Sequence, residues 1–135
     1  SSGVIGSFAD VLPTLAELAG ARVPEGIDGL SIVPTVTGNV KAQKVHKYLY
    51  WEFYEGGGAR AVRMGPWKAV GKSLDGKKLE LYHLGRDPGE TKDVAEGHPE
   101  IVARALAAMQ EAHTPSPMWK VRGRRKASKK TRSGN

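Results

Sequence analysis

The stretch YLYWEFYEGGGARAVRMGPWKAV, Tyr48 to Val70, holds three runs of strand-like character separated by two glycine-bearing turns. The first run, HKYLYWEFYE (46–55), is aromatic and alternates with the period of two that a half-buried strand requires. Gly56-Gly57-Gly58 supplies the positive φ that a hairpin needs, which favours a turn over a phosphate-binding loop, since no Gly-Lys-Ser/Thr follows. ARAVRM then gives a second strand, Gly65-Pro66 a tight turn, and WKAVGK a third strand. SLDGKK turns the chain again before LELYHL, the fourth. Four short strands joined by short turns predict an antiparallel meander.

Working outward, HPEIVARALAAMQEAH (98–113) predicts the main helix. Pro99 suits the first helical position, and Ile101, Val102, Ala105, Leu106, Met109 and Ala112 form one apolar face that should cover the sheet. Between strand and helix, Asp87-Pro88-Gly89-Glu90 carries the signature of a type II turn, with proline second and glycine at positive φ third. Upstream, SFADVLPTLAELAG (7–20) predicts a short helix with an apolar stripe at Phe8, Leu12, Leu15 and Ala19. Asp10 as N-cap would place Pro13 in the first turn, where it is tolerated, and Gly20 would end the helix. ARVPEGIDGLSIVPTVTGN (21–39) should be an ordered excursion with little regular structure. The fold class expected is α+β.

Of the 21 Lys and Arg, eight lie in Lys120–Asn135, which has no acid, leaving 13 basic and 14 acidic residues in 1–119. The net charge of +7 therefore belongs to a basic tail attached to a neutral body. The tail lacks apolar periodicity and should stay disordered, with only nonspecific attraction to polyanions. With no cysteine, disulfides, thiolate zinc sites and a cysteine nucleophile are excluded. His46, His83, His98 and His113 are not spaced as metal ligands. No apolar run is long enough to span a bilayer, so no membrane partner is expected.

DVLPTLAELAG (10–20), GIDGLSIVPTVTG (26–38), YLYWEFYEGGGARAVRMGPWKAV (48–70) and ELYHLGRDPGETKDVAEGHPEIV (80–102), in this order and spacing, resemble the C-terminal end of the sulfatase family. The likeness covers about Val4 to Thr114. It departs at His83 and Asp93, where the family usually has an acid and an asparagine. The resemblance implies an arylsulfatase-type enzyme that hydrolyses sulfate esters with a formylglycine nucleophile and calcium. It implies the C-terminal subdomain of an alkaline-phosphatase-like fold, with periplasmic or secreted location usual for the family.

The family's Cys/Ser-x-Pro-x-Arg pattern is not found in this sequence, and the calcium ligands of the family belong to an N-terminal α/β domain. The expectation is a C-terminal portion with no catalytic residue and no metal ligand of its own. It divides into a helix and loop (1–45) that would dock on the N-terminal catalytic domain, a subdomain (46–114), and the basic tail (115–135). His46, Trp51 and Glu52 are the candidates for a substrate-cleft rim facing a sulfated ester or glycan. The plainer reading of Trp51 is packing between sheet and helix, and that of Arg63, Trp67 and Lys68 is hairpin packing. A rival from another class is a noncatalytic binding module whose tail engages polyanions.

Overall fold

The structure, a computed structural model, describes residues 2–73 and 78–118. The basic tail expected at Lys120–Asn135 lies outside the described residues. The chain divides into two compact units between Leu49 and Tyr50.

In the first unit, α1 spans Val11–Leu18 and the short α2 spans Val33–Val36. Gly20, at φ 67°, lies just beyond the end of α1, as its position in the sequence predicts. Asp10 holds the N-cap position of α1, as expected, which puts Pro13 in the first turn, but its side chain serves elsewhere. Asp10 has helical φ and ψ and makes no side-chain cap to α1. It instead completes a capping box on the preceding 3-10 turn, in which Ser7 Oγ accepts from the Ala9 amide and the Ser7 amide donates to Asp10 Oδ2 at 2.7 Å. A second feature fixes the path of the loop: a Cβ at Gly29 would meet the Ala9 carbonyl oxygen at 2.0 Å. Only glycine lets residues 26–32 pass this close to the start of α1.

The second unit is built on a sheet with strand order β1-β2-β3-β4. The strands are Leu49–Phe53, Ala59–Met64, Trp67–Gly71 and Leu79–His83. β2 and β3 pair antiparallel with Val62 opposite Ala69, and β3 and β4 pair antiparallel with Ala69 opposite Leu81. This register brings Val62, Ala69 and Leu81 into one row with no solvent exposure. The helix α3, Pro99–Ala112, lies against this face and contributes Ile101, Ala105, Ala108 and Met109 to the core. Withdrawing each of Leu81 and Met109 from water stabilises the unit by about 1.5–3 kcal/mol. Ala108 is buried although the sequence stripe omits it, whereas Val102, Leu106 and Ala112 are only partly covered.

After β4, Asp93 Oδ1 accepts from the Leu81 amide at 2.9 Å and the Val94 amide donates to the Leu81 carbonyl at 2.9 Å. The connection to α3 is thereby fastened to the centre of the outer strand. The turn at 87–90 closes with a Glu90 amide bond to the Asp87 carbonyl at 3.2 Å. The expected glycine at positive φ is corrected here. Glu90, not Gly89, adopts the left-handed conformation, at φ 54°. The Asp87 carboxylate holds the turn by accepting from the amides of Thr91 and Lys92, both at 2.9 Å, and these bonds draw its pKa down.

Candidate functional site

Three side chains carried the expectation of a substrate rim, and the structure sets each in a different environment. His46 belongs to the first unit, where its Nε2 lies 2.8 Å from Asp10 Oδ1. That same oxygen accepts from the Leu30 amide at 2.7 Å. Burial pushes the Asp10 carboxyl up, but the Leu30 and Ser7 amides and His46 outweigh it and leave the pKa lowered. Thr14 extends the arrangement, donating to the Asp10 carbonyl at 2.6 Å and accepting from the Ile32 amide at 3.1 Å. His46 thus helps fasten a loop to a helix start.

Trp51 and Glu52 are neighbours on β1, so their side chains leave opposite faces of the sheet. Glu52 is the centre of a polar cluster with Tyr50, Tyr54 and His113. Tyr50 and Tyr54 donate hydroxyl protons to its two oxygens, the latter at 2.6 Å, and His113 Nδ1 lies 2.5 Å from Oε1. Burial raises the Glu52 pKa, yet the bonds from Tyr50, Tyr54 and His113 prevail and hold it below the ordinary carboxylate range. Burial and the adjacent Glu52 carboxylate raise the Tyr50 phenol. Since His113 follows directly on α3, this cluster ties the end of the helix to β1.

Trp51 occupies the other face. It is 46% exposed and lines an open cleft of about 360 Å³ with Ala61, Arg63, Lys68, Leu84 and Glu90. Arg63 and Lys68 are direct cross-strand partners, on the face opposite the Val62–Ala69–Leu81 row. Packing between sheet and helix is therefore not the role of Trp51. Lys68 Nζ donates to Glu90 Oε1 at 2.5 Å, whereas the hydrogen bond of Arg63 runs from Nε to the Gly65 carbonyl at 3.3 Å. Sequence reasoning assigned Arg63 and Lys68 to hairpin packing. Their shared face was readable only from the register of two strands. Glu90, which completes the cleft, was hidden by the turn reading.

Among the described residues no group of three or more His, Cys, Asp or Glu side chains could hold a metal ion. None of the helices among the described residues is long and apolar enough to cross a membrane.

The profile of the family described as N-sulphoglucosamine sulphohydrolase, C-terminal, matches residues 5–114. The chain belongs to this sulfatase family. A Delta 4,5-hexuronate-2-O-sulfatase of Bacteroides thetaiotaomicron is 37% identical over 114 residues, covering 79% of this chain and 23% of that protein. A sulfatase of Schizosaccharomyces pombe is 36% identical over 104 residues, covering 69% of this chain and 18% of that protein. The solved structure of a 2-O GAG sulfatase superposes with a TM-score of 0.66 at 35% identity, over 76% of this chain and 23% of that one. This sulfatase chain spans less than a quarter of the length of these relatives. Its α+β fold is that of the sulfatase C-terminal subdomain, so the resemblance carried by the four sequence segments holds.

Proposed function

We propose that the chain works as the C-terminal subdomain of a sulfate-ester hydrolase and is inactive by itself. Its catalytic partner is a sulfatase N-terminal domain, which supplies the formylglycine nucleophile and calcium. The observation that carries the docking reading is the apolar row on α1 and the turn before it. Phe8 is 91% exposed, Leu12 54% and Leu15 58%, while the helix buries Pro13 and Thr14. An apolar row of this kind on a helix start is suited to a protein partner. In this reading residues 1–45 seat the subdomain, α3 and the sheet keep it rigid, and residues on the sheet face border the substrate cleft.

The test is an aryl sulfate assay with calcium, run on the pure chain and on the chain co-expressed with a sulfatase N-terminal domain. The expected result is no turnover alone and turnover by the pair. Calcium-dependent turnover by the pure chain would overturn the proposal, as would a partner domain equally active with and without it.

A further inference from the structure

The cleft on the sheet face away from α3 has an unbalanced charge pattern. Arg63 and Lys68 stand directly opposite each other on β2 and β3, an arrangement of like charges that destabilises a sheet unless something answers it. Glu90 answers Lys68 at 2.5 Å and does so from a left-handed backbone. That conformation costs an L-residue about 1–2 kcal/mol, and glycine or asparagine would adopt it more easily. Strained residues of this kind cluster where a side chain must be held in place for a task. Here the result is one fixed Lys–Glu pair beside an Arg63 guanidinium with no carboxylate partner among the described residues. The half-exposed indole of Trp51 forms the remaining wall.

We propose that this cleft is a binding subsite for an anionic sugar residue, a sulfated or uronic saccharide unit. The indole offers a flat face on which a pyranose ring stacks. Arg63 presents a planar fork that matches a sulfate or carboxylate by paired hydrogen bonds. The Lys68–Glu90 pair supplies a donor and an acceptor for ring hydroxyls. The cleft volume, about 360 Å³, lies within the range of small-ligand sites and suits one monosaccharide unit. The choice of a saccharide rests on the sulfatase reading, whereas the preference for an anion rests on Arg63, the cation of the opposed pair that Glu90 does not answer.

The experiment is residue-resolved NMR titration of the full 135-residue chain with a sulfated uronate-containing disaccharide and with its desulfated, carboxyl-reduced counterpart. Saturable shifts at the Trp51 indole N–H and around Arg63, Lys68 and Glu90 are expected with the sulfated probe, and much weaker ones with the neutral probe. Arg63→Gln should weaken binding about tenfold or more, the scale of one charged hydrogen bond lost, and Trp51→Ala should weaken it severalfold by removing the stacking face. Arg63→Lys should restore part of it, and unchanged amide spectra elsewhere would show that the variants fold. Shifts confined to Lys120–Asn135 would overturn the proposal by making the attraction one of the tail. Equal binding of both probes would overturn the anion site. Because binding is read without turnover, a failed assay of the paired domains and a failed titration are distinguishable.

Discussion

The two units are held together in different ways. In the first unit, apart from Leu49 where the chain enters β1, the buried side chains are Asp10, Pro13 and Thr14, and the large apolar groups of α1 face outward. In the second unit the buried set is Val62, Ala69, Leu81, Tyr82, Ile101, Ala105, Ala108 and Met109, and the carboxylate cluster sits at the margin. The first unit is organised by hydrogen bonds converging on one carboxylate, and the second by apolar packing of a helix on a sheet. A region with few buried apolar contacts opens locally more easily than one with many. The helix-and-loop region should therefore exchange its amides faster than the sheet, and Val11–Leu18 amides as slow as those of β2 and β3 would break the contrast.

The largest effect is expected at Leu81→Ala. Removing a fully buried leucine costs about 2–5 kcal/mol, the lost transfer energy plus the cavity left behind. Chemical denaturation should show the second unit losing most of its stability, and a change below about 1 kcal/mol would refute the packing account.

Asp10→Ala should come next and should act locally. It leaves the Leu30 and Ser7 amides and His46 without their acceptor. A buried donor stripped of its partner costs about 1–3 kcal/mol. Hydrogen exchange should accelerate over residues 7–32 while the sheet amides keep their protection. Equal acceleration in both units would mean that they are not separately organised.

Acid should sharpen the same distinction. The Asp10 and Glu52 carboxyls both have lowered pKa values in the folded chain. Their contributions are therefore complete above the ordinary carboxylate range and are lost as pH falls through the lowered folded values. Melting temperature should hold steady from pH 7 to about 5 and decline below about 4. Asp10→Asn should flatten the part of that decline read from the helix-and-loop region. An unchanged acid profile in that variant would remove Asp10 from the account.

The smallest effect is expected at Leu15→Ser. Its side chain is already in water in the described chain, so stability should move by no more than about 0.5 kcal/mol. Assembly with a sulfatase N-terminal domain should weaken markedly in a pull-down. A large loss of stability in the chain alone would show that this face has an internal partner.

The sheet and α3 were legible because their signals are local. Alternation in 46–55 and 59–64, glycines at 57, 58 and 65, and Pro99 followed by an apolar period all act over a few residues. Gly57, Gly58 and Gly65 do take positive φ, at 105°, 84° and 57°. The groupings that matter for a site were not legible. His46 reaches Asp10 across 36 positions, and His113 reaches Glu52 across 61. No period or spacing encodes such pairs. The Asp87–Glu90 turn misled for a different reason: its residue types favour glycine at positive φ, yet the Lys68–Glu90 bond and the Asp87 carboxylate hold Glu90 there instead. Trp51 and Glu52 were grouped because they adjoin in sequence, although adjacency on a strand sends two side chains to opposite faces.

The hold of Asp93 and Val94 on Leu81 bears on how this chain behaves in company. β4 ends the strand order, and the outward amide and carbonyl at the centre of such a strand are a template on which another chain can add. Here both groups of Leu81 are already taken by the chain's own connection to α3. A second molecule would have to peel away 93–94 before it could zip onto this rim. The segment acts as a selvedge, finishing the sheet so that it neither frays nor seams to its neighbours.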